Sequence, residues 1–327
     1  MKLRIIEIVW FLSVSFCNLS VTGQTASQKG LIPLGDPYIL NDNGTYYMYG
    51  TGNNDGIPVY RSVDLKHWEG PAGAVDGLAL HKNDVWGDKW FWAPEVYKIA
   101  AKYYMFFSVE EHIAVAVSNN PLGPFKQESQ KPLLETKAID AHLFIDSDGR
   151  KYLYYVAFTN GNVVWMCELS DDLMTIKPNT IRKCFEASQP WEKSEKQPVA
   201  LVNEGPFMVK HNDLYYLVYS ANHYANPDYG IGYASSSSPT GPWTKFAGNP
   251  ILQSPDTLRG TGHCSLFTDT QGILNIVYHA HYSQKEVQPR IVYINRCSFV
   301  HNDSTGIDEL KVMPQRIVPR NVDAKTL

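Results

Sequence analysis

One pattern returns five times along this chain of 327 residues: a polar lead residue, an apolar strand, a short polar turn and an aromatic-rich second strand. It opens as DPYILNDNGTYYMYGTG at Asp36 and returns as EVYKIAAKYYMFFSV at Glu95, DAHLFIDSDGRKYLYYVAF at Asp140, EGPFMVKHNDLYYLVYSAN at Glu204 and HCSLFTDTQGILNIVYHAHY at His263. A third segment follows each copy, from IPVYRSVDLKHW after the first to RIVYINRCSFV after the last. Asn-Gly, Asp-Gly and Gly-Pro pairs punctuate the turns, as short antiparallel connections require. A unit repeated in this way buries its apolar faces on its neighbours rather than alone. Beyond the first two dozen residues no stretch carries a capped 3.6-residue period. The expected fold is all-β: five sheets of about four strands set radially, a five-bladed β-propeller. A Greek-key sandwich would leave the regular return unexplained.

Composition narrows the function classes. The 29 Lys and Arg against 33 Asp and Glu give a net charge of −4, which argues against a nucleic-acid partner, whose phosphates need a basic face. Twenty Tyr, 13 Phe and 8 Trp suit strands and sugar-binding surfaces. Residues 1–23 read as a signal peptide: Lys2 and Arg4, an apolar run from Ile8 to Phe16, then Val21-Thr22-Gly23 before a cut. That run is too short for a stable membrane span, so the expectation is an exported chain whose residues 24–327 form a single propeller. Bulky Phe16 argues against lipid anchoring at Cys17. Cys167, Cys184, Cys264 and Cys297 match no zinc spacing and are too few for a disulfide framework, so they read as small buried hydrophobes.

If the first strand of each repeat lines the axis, its lead residue sits at one mouth of the central channel. Asp36, Glu95, Asp140, Glu204 and His263 would then ring that mouth. Crowded like charges raise one another's pKa, a cost that points to function rather than stability. Two carboxylates facing across a cleft suit glycosidic-bond hydrolysis, one protonated to donate to the leaving oxygen and one ionised to activate water. A propeller axis leaves room for that water, which favours inversion, with carboxyl groups about 6.5–9.5 Å apart.

The motifs GDPYI, WAPEV, IDAHLFID, NEGPFMVK and TGHCS, in this order from Gly35 to Phe299, resemble glycoside hydrolase family 43. The resemblance implies an inverting enzyme acting on arabinose- or xylose-containing polysaccharide or oligosaccharide. It implies Asp36 as general base, Glu204 as general acid and Asp140 as the residue that orients Glu204 and tunes its pKa. No cofactor is required by it, although a structural calcium near the axis, held by His263 and waters, is a further expectation. Gly35 before Asp36 and Pro37-Tyr38 after it favour the inverting family over fructan-cleaving propellers. About 28 residues after Phe299 are too few for the β-sandwich that some xylosidases carry, which tilts the reading toward an arabinofuranosidase.

Other residues are secondary. Trp92 is expected to wall the terminal sugar, with Trp86 and Trp90 bordering further subsites or packing in the core. Arg290 and His263 are expected at the sugar hydroxyls. Glu95 reads as structural or water-binding rather than catalytic. Asn222, His223 and Tyr224 follow an aromatic strand as loop residues within reach of substrate. The overall expectation is an exo-acting enzyme that releases terminal α-L-arabinofuranose or β-D-xylose. An endo-acting arabinanase or xylanase is the nearest alternative and a non-catalytic sugar-binding propeller the remotest.

Overall fold

The computed structural model describes residues 29–322, so the expected signal peptide and Cys17 lie outside the described residues. Four sheets contain four or more strands and one contains three, each built from consecutive segments. Blade I comprises Gly35–Asp42, Thr45–Thr51, Gly56–Ser62 and Leu78–His81, and blade II Trp92–Ile99, Lys102–Val109 and His112–Ser118. Blade III comprises Ala138–Ile145, Lys151–Phe158, Asn162–Leu169 and Arg182–Phe185. Blade IV has Asn203–His211, Leu214–Ala221, Gly230–Ser236 and Thr244–Lys245, with Leu252–Gln253 beside its third strand; blade V has Gly262–Thr268, Leu274–Ala280, Ile291–Asn302 and Ile307–Ile317. Blade II lacks a full fourth strand, and the bridge of Val117 to Lys126 takes part of its place. The first strand of each blade lies innermost and touches its counterparts on both sides around the ring. The five-bladed propeller expected from the repeat is the fold observed.

The alternating pattern explains the packing. Along the second strands, Tyr49, Phe107, Tyr154, Tyr216 and Tyr278 are buried between blades, and their large rings fill the wedge that opens away from the axis. Residues near the two ends of the described chain meet at blade I. Arg320–Asn321 pairs in parallel with His67–Trp68, and Leu31 bridges to Arg320. All four described cysteines are free, three of them buried, as small hydrophobes would be.

A feature of the inner strands places the site. Each has a register shift near its start, between Gly35 and Tyr38, between Trp92 and Glu95, and likewise before Phe207 and Ser265, with the blade III irregularity facing Tyr154 to Val156. In every bulge one residue is left-handed: Asp36 (φ 50°), Ala93 (44°), Asp140 (58°), Gly205 (56°) and His263 (48°). Four of these five are not glycine, and a left-handed non-glycine residue stores conformational strain, of order 1–3 kcal/mol. The bulge turns these side chains from the sheet toward the mouth of the channel.

Candidate active site

The backbone N–H groups freed by the five bulges are satisfied by a repeated device. The residue opposite each bulge on the second strand of one blade accepts from the bulge N–H of the next. Thr51 Oγ1 accepts from Ala93 at 3.0 Å, Ser108 Oγ from Asp140 at 3.0 Å, Ser220 Oγ from His263 at 2.7 Å and His279 Nδ1 from Asp36 at 3.1 Å. The corresponding residue of blade III is Val156, which cannot accept. There Asp140 Oδ2 itself accepts from the Gly205 N–H at 3.0 Å. Asp140 is therefore tied to the peptide that follows Glu204.

Asp36 is buried and surrounded by donors. Arg290 clamps it with both terminal nitrogens, Nη1 to Oδ1 at 2.6 Å and Nη2 to Oδ2 at 3.2 Å. Thr51 donates to Oδ2 at 2.6 Å, and His263 Nδ1 lies 3.2 Å from Oδ1. Gly35 makes the clamp possible, because a Cβ there would lie 2.0 Å from Arg290 Cζ. Burial alone would raise the pKa of Asp36, but the Arg290 guanidinium above all, with His263 and the Thr51 hydrogen bond, outweighs it and holds the carboxyl well below its ordinary range. The 3.5 Å approach of His279 Nδ1 to Asp36 is not an ion pair. That nitrogen accepts from the Asp36 backbone, and burial keeps the ring neutral with its pKa well below the usual value.

Glu204 meets the opposite environment. Its Oε1 accepts from Tyr229 Oη at 2.8 Å and its Oε2 from Asn162 Nδ2 at 2.9 Å, with no cation bonded to it. Burial pushes its pKa up to about 7; the Tyr229 hydrogen bond pulls down and the Asp36 charge pushes further up. Burial also drives Asp140 well above its ordinary value, reinforced by the charges of Glu204 and Asp36. Ionising one of this pair raises the other, so together they retain a proton near neutrality. One cleft thus holds an ionised carboxylate and a protonated carboxyl, the division that acid–base hydrolysis needs.

These residues open into a cleft of about 470 Å³ to which every blade contributes: Asp36 and Thr51, Trp90 and Trp92, Asp140 and Phe158, Glu204 and Tyr224, His263 and Arg290. Trp92 and Arg290, expected at the sugar, both line this cleft, although the guanidinium of Arg290 is committed to Asp36 and its carbon Cζ sits 4.9 Å above the Tyr224 ring. Trp90 stacks on Trp92 at 5.8 Å, whereas Trp86 packs edge-on against His112 away from the cleft. His223 also lines the cleft, while Asn222 is a buried brace between Trp191 and Asp228 backbone oxygens.

Glu95 departs from the expected ring. It lies two residues past the bulge, level with Tyr38, His142, Phe207 and Ser265, where the alternation of the strand carries it deeper into the channel. There it bonds Tyr97 and, at 2.8 Å, His142 Nδ1, a structural cluster. The alignment of lead residues had placed it two positions too early. The residues that sequence reasoning missed are Thr51, Asn162, Tyr229 and His279. A usable signal existed: they end second strands or flank third strands, and in an antiparallel blade those ends share the mouth with the start of the first.

The surroundings of His263, where a calcium held by that side chain and waters was expected, offer few protein donors. Among the described residues no three His, Cys, Asp or Glu side chains converge on a metal position. The axial cavity that His263 shares with Glu95 and Cys264 has room for about one water, and His263 also faces the larger cleft.

The comparisons with known proteins agree with this geometry. The family description "Glycosyl hydrolases family 43" matches residues 33–304. The chain belongs to glycoside hydrolase family 43. A solved structure of an endo-1,4-β-xylanase from Bacteroides thetaiotaomicron is 43% identical, with a TM-score of 0.82 over 90% of this chain and 99% of that one. A thermostable family-43 glycoside hydrolase is 38% identical, with a TM-score of 0.77 over 89% and 96%. Among related sequences, a β-D-galactofuranosidase of Aspergillus niger is 28% identical over 94% of this chain and 90% of its own length. A probable arabinan endo-1,5-α-L-arabinosidase of Aspergillus flavus is 26% identical over 78% and 83%. This family-43 chain is thus a glycoside hydrolase acting on glycans.

Proposed function

We propose that the protein is an inverting exo-glycosidase that releases terminal α-L-arabinofuranose or β-D-xylose from plant-type polysaccharides. The observation that carries this reading is the contrast within one cleft between Asp36, held ionised by Arg290 and Thr51, and Glu204, pushed up to about 7 by burial. Asp36 takes a proton from a water as its oxygen attacks the anomeric carbon. Glu204 gives its proton to the glycosidic oxygen as that bond breaks, and the configuration inverts. Asp140, through the Gly205 N–H, keeps Glu204 aimed and keeps the proton on the pair at neutral pH. Trp92 and Trp90 offer an aromatic wall to the terminal sugar.

Chromogenic arabinofuranoside and xyloside assays test the assignment. Asp36→Ala and Glu204→Ala are each expected to lose about 10²–10⁴-fold in rate or more. Proton NMR of the first-formed sugar is expected to show the inverted anomer. Undiminished rates in either variant, or retention of configuration, overturn the assignment.

A second reading, endo cleavage within arabinan or xylan, is favoured by the 43% identity to a structure named as an endo-1,4-β-xylanase. Product sizing on debranched arabinan and on xylan separates the two: monomers alone support exo action, a ladder supports endo. Export is part of the same proposal, and amino-terminal sequencing of the secreted protein is expected to begin close to Gln24.

A further inference from the structure

Besides the tryptophans of blade II, the cleft is lined by an exposed aromatic on the acid side, Phe158, which is 41% exposed. It ends the second strand of blade III and pairs across a tight hairpin with Asn162, whose amide bonds Glu204 Oε2 at 2.9 Å. The hairpin tip is fixed. Asn160 and Gly161 are left-handed, and the Asn162 N–H donates to the Leu201 carbonyl at 3.0 Å. A Cβ on Gly161 would lie 2.3 Å from that carbonyl oxygen, so the hairpin and the segment carrying Leu201 are in close contact. Leu201 is itself 45% exposed. A solvent-facing aromatic edge thus shares its hairpin with the residue that bonds Glu204, and Leu201 lies beside the hairpin tip.

The chemistry of Glu204 says what belongs there. A general acid sits next to the oxygen it protonates, so the departing sugar lies on its side of the cleft. We propose that Phe158, continued by Leu201, is the platform for the leaving-group sugar and so sets which main-chain glycan the enzyme accepts. This rests on the function proposed above and deepens it. The C–H face of a pyranose or furanose ring stacks on the phenyl ring, and Leu201 extends the apolar floor toward the next residue of the chain. The released sugar makes no use of either side chain.

The test compares two substrates of the same released sugar: its methyl glycoside, which has no leaving-group ring, and an oligosaccharide bearing that sugar at its end. Phe158→Ala is expected to lower kcat/KM on the oligosaccharide about tenfold, mainly through KM, while leaving the methyl glycoside within about twofold. Phe158→Trp is expected to retain the oligosaccharide rate, and Leu201→Ser to lose a smaller factor on longer oligosaccharides only. Equal losses on both substrates, or an unchanged oligosaccharide rate in Phe158→Ala, overturn the platform while leaving the catalytic reading intact. A wild-type enzyme that turns over neither substrate overturns the function itself, and the platform with it.

Discussion

Replacing Tyr229 by Phe isolates the physical cause of the acid's protonation. The phenol is fully buried, stacks on His279 at 5.6 Å and donates to Glu204 Oε1 at 2.8 Å. This bond favours the ionised carboxylate, because a carboxylate accepts more strongly than a carboxylic acid. A hydrogen bond to a charged group contributes about 1.5–3 kcal/mol, and one pKa unit is 1.36 kcal/mol. Removing it should move the pKa of Glu204 up by about one to two units from about 7, with the stack on His279 retained by the phenyl ring. The catalytic form needs Glu204 protonated and Asp36 ionised, so activity falls on the alkaline side as Glu204 loses its proton. In Tyr229→Phe that limb of kcat/KM against pH is therefore expected to shift to higher pH. The acid limb, set by an Asp36 held well below its ordinary range, stays where it was. The measurement is a pH–rate profile on an aryl glycoside, with a melting curve at each pH to confirm folding. An alkaline limb that stays in place or moves to lower pH refutes the reasoning.

Other consequences follow from the same structure. Glu204→Gln should be inactive yet melt at a higher temperature than wild type at pH 8. The folded-state pKa of Glu204 is raised, so its stabilising contribution is full below its ordinary 4.5 and lost as pH rises through about 7; the difference in melting temperature should vanish by pH 4. Lys245→Met takes from the fully buried Glu192 its one cation, leaving it only neutral donors, and should cost about 3–5 kcal/mol in denaturant unfolding. The double variant with Glu192→Leu should recover part of that loss. Dialysis against a chelator should leave the rate of hydrolysis unchanged, given the donor-poor surroundings of His263.

The fold was legible because five copies of one strand pattern admit few closed arrangements. Asp36, Asp140 and His263 were legible because each occupies the same bulge. Glu204 was found by its motif although it stands one residue before the bulge, in the place held elsewhere by Gly35, Trp92 and Gly262. Glu95 was misplaced because acidic residues, rather than the small residues just after each bulge, were used to set the register. Aligning Pro37, Pro94, Ala141, Pro206 and Cys264 would have put Ala93 in the ring. Thr51 and Tyr229 sit in the same blades as the carboxylates they bond, at strand ends that no motif covered, and only Asn162 reaches its partner Glu204 from a neighbouring blade.

Val156 gives the symmetric scaffold a single defect with an evolutionary cost. Four of the five bulges are braced by a side chain that takes no protons in the reaction, whereas the fifth relies on Asp140. Truncating that side chain would strand the Gly205 amide, so a change there is penalised in folding as well as in any chemistry the carboxylate serves. Asparagine at position 140, or a hydroxyl first acquired at position 156, would keep that amide satisfied, so at this blade the order of substitutions, and not just their identity, shapes how the propeller can change trades.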